Sequence, residues 1–204
     1  MAITEQEALS EALRRIKAGD IDGAIDYCEA PAHSQMPGCQ RLLGGQYQKK
    51  GDYKKAIQWF SKAVAQGDNE GLSCFCLASA YYWNRDYPDA LSYFRRAADA
   101  GNARGLYWQG RMHERGLGVE RNLETAISFY ARSGAAGNLL GERDWLRLAI
   151  ARKQGIRKLV LLPRVISYFF RGVLIAQRDP NDPRLIDLKT DLKYRRRRSA
   201  VPKD

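Results

Sequence analysis

Residues 51–71 read GDYKKAIQWFSKAVAQGDNEG, and residues 85–105 read RDYPDALSYFRRAADAGNARG. With one laid beneath the other, Ala56 meets Ala90, Trp59 meets Tyr93, Phe60 meets Phe94, Ala63 meets Ala97 and Gly67 meets Gly101, at a constant offset of 34 residues. A third copy runs through Ala126, Phe129, Tyr130, Ser133 and Gly137, now 36 residues on. An N-terminal copy matches through Gly19, Asp20, Ala24, Tyr27 and Cys28 at an offset of 32. Periods of this length mark units that cannot bury an apolar face alone and therefore stack on their neighbours.

The pattern inside each copy is helical. The small residues Gly44, Ala78 and Gly110, with Ala56, Ala90 and Ala126, fall where two helix backbones approach closely. Aromatic doublets three and four positions later (Trp59/Phe60, Tyr93/Phe94, Phe129/Tyr130) follow the i, i+3, i+4 spacing of an amphipathic helix. Gly67, Gly101 and Gly137 stand where a helix ends in a left-handed residue. Asp20, Asp52 and Asp86 are placed to cap the helices that follow them. Residues 138–154 (NLLGERDWLRLAIARKQ) read as one more helix, the first half of an incomplete repeat that closes the stack.

The middle copies resemble tetratricopeptide repeats. The third copy, with Gly110, His113, the run RGLGV at 115–119, Asn122 and Ala126, resembles a SEL-one-like repeat and its G-x-G-V loop. The phrases KAVAQGDNEG and RAADAGNARG fit that family's A-A-x-x-G-N/D ending. The first copy is degenerate, and the two middle copies lack the G-x-G-V insertion. The resemblance spans about residues 5–155 and implies an all-α, right-handed α-solenoid of about four helix-turn-helix repeats over residues 1–155. It further implies an adaptor that binds a protein or peptide on the concave face lined by first helices. Carried onto this chain, those positions are Arg41 and Gln48, then Phe75, Ser79 and Tyr82, then Tyr107, Arg111 and Glu114. For Phe75 and the tyrosines, packing between repeats is the competing reading.

The remainder of the chain differs in charge. Residues 1–138 hold 17 Lys and Arg against 16 Asp and Glu, whereas residues 139–204 hold 17 against 7. With 45% apolar residues, 28% charged residues and a mean hydropathy of −0.51, the chain is neither a polytopic membrane protein nor a disordered one.

Residues 155–178, GIRKLVLLPRVISYFFRGVLIAQR, place Arg157, Arg164, Arg171 and Arg178 seven apart, in one stripe of an otherwise apolar helix. Pro163 suits the first turn of that helix. A transmembrane span is disfavoured. Two central arginines cost about 5–7 kcal/mol, against roughly 3–6 kcal/mol from the apolar side chains. The readings that remain are a basic amphipathic helix over 156–178, lying in a membrane surface through Arg157, Arg164, Phe169, Phe170, Arg171 and Arg178, or a helix folded onto the repeats or pairing with a second copy. Residues 179–204 comprise a turn (DPNDP), a short helix and a tail with Lys193 and Arg195–Arg198.

Function follows by elimination and by patterning. No G-x-S-x-G, Walker or dinucleotide-binding motif occurs, and the paired acids sit at helix starts, so no catalytic residues and no cofactor are expected. Cys28, Cys39 and His33 lack the spacing of a zinc site, so no metal is expected. His113 occupies a packing position of its repeat. The acidic N-terminal segment is unlike a secretory leader, which points to the cytoplasm. The expected partner is a protein, with an anionic membrane surface or a second copy of the chain as further candidates. Nucleic acid is disfavoured because the repeat body is nearly neutral. The resulting expectation is a non-catalytic scaffold that recruits a partner to the cytoplasmic face of a membrane, in an envelope, secretion or exopolysaccharide system by family analogy. The alternative is a soluble regulatory adaptor whose C-terminal helix packs on its own repeats or dimerises.

Overall fold

The computed structural model describes residues 3–67, 69–152, 162–179 and 182. Among them the chain forms ten helices and no strand. These are α1 (Glu5–Lys17), α2 (Ile21–Glu29), α3 (Pro37–Lys50), α4 (Tyr53–Ala65), α5 (Glu70–Asn84), α6 (Tyr87–Asp99), α7 (Ala103–Arg115), α8 (Leu123–Ala135), α9 (Leu139–Arg152) and α10 (Leu162–Arg178). The chain divides into two compact units. Residues 1–105 with 116–120 form one, and residues 106–115 with 121–204 form the other. The division falls inside α7, whereas the sequence reading draws its first boundary at residue 155. Arg157 and the basic tail from Lys193 lie outside the described residues.

In the first unit, α1 packs on α2, α3 on α4 and α5 on α6, and each pair meets the next. Ala8, Ala12, Ile25, Cys28, Cys39, Leu42 and Leu43 form one core cluster. Ala56, Phe60, Leu77 and Ala80 form another. The close approach expected at small residues is present. A Cβ on Gly44 would lie 2.6 Å from the Phe60 ring, so only glycine lets the α3 backbone reach that ring.

The caps explain where the helices start. Asp20 accepts from the Gly23 amide and Asp52 from the Lys55 amide, both at 3.0 Å. Thr4 and Glu7 close a reciprocal capping box at α1. Asp86 departs from the expectation. Its carboxylate caps no amide and instead accepts from the Asn84 side chain. Gly51, Gly67, Gly101 and Gly137 all take positive φ at helix ends. Arg85, at the repeat position of Gly51, is forced into the same left-handed region with φ of 71°.

In the second unit, Tyr107, Ala126, Tyr130 and Leu140 form the core, with Trp108, Trp145 and Leu148 against it. A Cβ on Gly110 would lie 2.8 Å from the Tyr130 ring, repeating the Gly44–Phe60 relationship. His113 stacks on Phe129 with ring centroids 5.5 Å apart, as a packing residue does. Asn138 accepts from the amides of Leu140 and Gly141 and so starts α9, which packs on α8. Pro163 occupies the first turn of α10, and α10 rests on α9. No helix among the described residues is long and apolar enough to cross a membrane.

Candidate functional site

The first-helix row divides sharply by burial. In the first unit, Phe75 and Tyr82 are buried. Phe75 packs against Phe94 with centroids 5.8 Å apart, beneath the Arg104 guanidinium at 4.3 Å. Tyr82 meets Tyr87 and Trp83 edge-on. Arg41, Gln48 and Ser79 are only half-buried, and Gln48 Nε2 donates to Ser79 Oγ at 2.9 Å, linking α3 to α5. Burial pushes the Cys76 thiol up, while Arg104 and Arg41, close enough to be felt, pull the other way. A half-buried basic and polar strip therefore remains once the aromatic rings are committed to the interior.

In the second unit, the same row becomes a polar network. Tyr107 is 1% exposed and donates its hydroxyl to Asp144 at 3.1 Å. Arg111, 4% exposed, lies over Trp108 at 4.7 Å. Glu114 accepts from the Tyr130 hydroxyl at 2.6 Å and from Arg147 Nη2 at 2.7 Å. Asp144, 2% exposed, also pairs with Arg143 at 2.9 Å and Arg147 at 3.3 Å. Burial pushes the Tyr130 hydroxyl strongly up, and its bond to Glu114 adds to that. Burial opposes the charge of Arg147, but Glu114 and Asp144 outweigh it and hold the guanidinium above its usual range. Of the eight residues placed on a partner groove, Phe75, Tyr82, Tyr107 and Arg111 thus build the helix stack. Arg41, Gln48, Ser79 and Glu114 stay half-buried.

On α10 the expected lipid-facing set separates into two faces. Arg164 lies over the Trp145 ring at 5.0 Å, and Arg171 bonds to Glu142. These two arginines turn toward α9. Phe169 and Phe170, in contrast, are 66% and 65% exposed, and Ile166, Val173 and Leu174 are exposed beside them. Arg178, in the last turn, is also exposed. The i, i+3, i+4, i+7, i+8 spacing makes these five apolar residues one continuous stripe.

Cys28 and Cys39 are fully buried in the same core cluster, and their mutual influence, with burial, raises the Cys28 thiol while that of Cys39 is lowered. His33 places Nδ1 2.8 Å from the Tyr27 carbonyl oxygen, so that nitrogen carries the proton and donates. Among the described residues no group of three or more His, Cys, Asp or Glu side chains is arranged to hold a metal.

One feature escaped the sequence reading. Lys62 lies over Trp59, Arg96 over Tyr93 and Arg132 over Phe129, at 3.9, 5.4 and 5.6 Å. Each cation stands three residues after its ring at the same repeat position, so the i, i+3 spacing was the available signal.

Comparison with known proteins matches this architecture. Residues 38–68, 84–102 and 103–138 fit the Sel1 repeat. Two helix pairs, α3–α4 and α7–α8, and the single helix α6 thus match the Sel1 repeat. A Sel1 repeat protein of solved structure from Oxalobacter formigenes superposes with a TM-score of 0.60 at 22% identity, over 84% of this chain and 70% of that one. Rat DAP3-binding cell death enhancer 1 is 31% identical over 85 residues, which are 42% of this chain and 17% of that protein. The Saccharomyces cerevisiae chitin synthase regulator SKT5 is 27% identical over 112 residues, which are 50% of this chain and 16% of that protein. The chain spans less than a fifth of the length of these curated relatives. Stacked Sel1 pairs are an interaction architecture, because repetition yields an extended surface in place of an enclosed pocket.

Proposed function

We propose that this protein is a non-catalytic interaction scaffold that recruits a protein partner through its repeats and rests on the anionic, cytoplasmic face of a membrane through α10. The observation that carries the membrane half is the exposed stripe of Ile166, Phe169, Phe170, Val173 and Leu174. Moving such a stripe half-way out of water is worth about 5 kcal/mol. The excess of 17 cationic over 7 anionic residues in 139–204 adds attraction to anionic headgroups. For the partner half, the support is the half-buried strip of Arg41, Gln48 and Ser79 in the first unit. Partner identity is expected to lie in an envelope, secretion or exopolysaccharide system, on family analogy alone. Against catalysis stands the use of the carboxylates. Asp20 and Asp52 cap helices, and Glu114 and Asp144 are committed to ion pairs.

The second reading, a soluble adaptor with α10 folded on its own repeats, draws on the Arg171–Glu142 and Arg164–Trp145 contacts. Those contacts use only the cationic edge of α10 and leave its apolar stripe uncovered. Fractionation of cells expressing the full chain tests the choice. The wild type is expected with membranes and the double variant Phe169→Ser/Phe170→Ser in the supernatant. A wild-type chain found in the supernatant overturns the membrane half. So does a concentration-dependent dimer that the same double substitution abolishes.

A further inference from the structure

Helices α8, α9 and α10 border a cleft of about 320 Å³, lined by Gly134, Glu142, Trp145, Arg164, Ser167 and Arg171, with two alanines of α8. Its floor is close-packed. A Cβ on Gly134 would come within 3.0 Å of the Glu142 backbone, so α8 and α9 leave no slack beneath it. Its outer wall is one side of α10, where Arg164, Ser167 and Arg171 recur at i, i+3 and i+7 and bring two guanidiniums and a hydroxyl together. Both guanidiniums are oriented before any ligand arrives, Arg164 by the Trp145 ring and Arg171 by Glu142. The Glu142 bond engages Nη2 of Arg171, one part of a five-donor fork that matches phosphate geometry. Two cations against one carboxylate leave the cleft positive.

The position of the cleft narrows the ligand. The same helix that supplies its cations carries the exposed apolar stripe on its other side. A molecule that fills the cleft with an anion and continues around α10 with hydrocarbon satisfies both. We propose that this cleft binds the phosphate of an anionic glycerophospholipid. Arg164 and Arg171 donate to its two non-bridging oxygens, the Ser167 hydroxyl donates to one of the same pair, and the Ile166–Leu174 stripe meets the acyl chains. This rests on the membrane-docking reading and gives it a lipid class. Glu142 is the internal competitor: its carboxylate takes Arg171 when no phosphate is present.

The test is co-sedimentation of the full chain with vesicles of phosphatidylcholine alone and of phosphatidylcholine with phosphatidylglycerol. The wild type is expected to prefer the anionic vesicles. Arg164→Gln/Arg171→Gln is expected to weaken that preference by roughly fivefold for each arginine and to lower binding to neutral vesicles less, because the choline cation offsets the phosphate there. Glu142→Gln frees Arg171 and is expected to strengthen the preference. Phe169→Ser/Phe170→Ser is expected to lose both kinds of vesicle. If the arginine variant keeps the wild-type preference while the phenylalanine variant loses binding, docking stands and the phosphate cleft is overturned. The cleft is also overturned if Glu142→Gln and the arginine variant weaken alike. Inorganic phosphate is expected to release the chain from anionic vesicles better than chloride of equal ionic strength, because it competes for the cleft, and release no better than by chloride overturns the phosphate cleft. A wild type that binds neither vesicle overturns the docking reading and this inference together.

Discussion

Tyr107 on α7 donates its hydroxyl to Asp144 on α9 at 3.1 Å, across 37 residues of sequence, and both side chains are almost wholly buried. Asp144 also holds Arg143 and Arg147, and Arg147 reaches on to Glu114, which takes the Tyr130 hydroxyl. Two tyrosines from α7 and α8 and two arginines from α9 thus share two carboxylates. This is how α9 is bound to the α7–α8 pair before it.

Removing Asp144 takes a shared, buried acceptor from Tyr107, Arg143 and Arg147 at once. Asp144→Ala is expected to lower stability in equilibrium urea unfolding by about 3–5 kcal/mol. Tyr107→Phe, which removes one hydrogen bond and keeps the ring, is expected to cost about 1 kcal/mol. An Asp144→Ala variant with an unchanged midpoint would mean the network contributes nothing to holding α9.

The adjacent glycines of α3 are expected to respond with opposite sign. Alanine at Gly45 meets nothing within 4 Å, so the helix propensity of alanine should stabilise by up to about 1 kcal/mol. Alanine at Gly44 would press its Cβ to 2.6 Å from the Phe60 ring, and overpacking of this kind costs about 1–3 kcal/mol. Thermal unfolding of the two single variants checks the sign, and a stabilised Gly44→Ala would disprove the tight contact.

Arg85 ends α5 in the left-handed region, where the preceding repeat has Gly51. A left-handed side-chain residue carries about 1–2 kcal/mol of strain, part of which glycine gives back as unfolded-state entropy. Arg85→Gly is therefore expected to stabilise by about 0.5–1 kcal/mol and raise the thermal midpoint by a few degrees. A lowered midpoint would show that the Arg85 side chain holds more than its backbone costs.

Glu11 accepts from Arg14 at 2.7 Å and from Arg15 at 2.9 Å. The Arg14 hydrogen bond, with help from Arg15, holds its carboxyl down at about 2, against an ordinary 4.5. A depressed folded pKa contributes stability that is present above the ordinary value and lost as pH falls through the folded one. An acid titration followed by circular dichroism should therefore separate the wild type from Glu11→Gln above pH 4.5 and bring them together toward pH 2. Curves that differ by the same amount throughout would assign the effect to something other than this charge.

The repeat was legible because it is local. Ala56, Phe60 and Gly67, seen again at 90, 94 and 101, reveal a helix pair and its end, since spacing along a chain dictates which face a helix buries. The cap at Asp86 was misread, because Asn84, two residues away, takes its carboxylate and spacing does not reveal that competition. The groove was legible only as a row of positions. Whether Phe75 or Tyr107 is presented or consumed depends on what the next helix brings, and Phe94 and Asp144 consume them.

What the sequence determined by itself is the helix pairs, their glycine ends, the neutral body and the cationic C-terminal third, all of them properties of short spacing and composition. Tertiary structure decided which way α10 faces. Its arginine stripe carries the charge that composition assigns to solvent. Glu142 and Trp145 sit on a different helix, and together they draw the still-exposed Arg164 and Arg171 toward α9 and leave Phe169 and Phe170 on the opposite side. An amphipathic helix has two usable faces, and only the groups on its neighbour select between them.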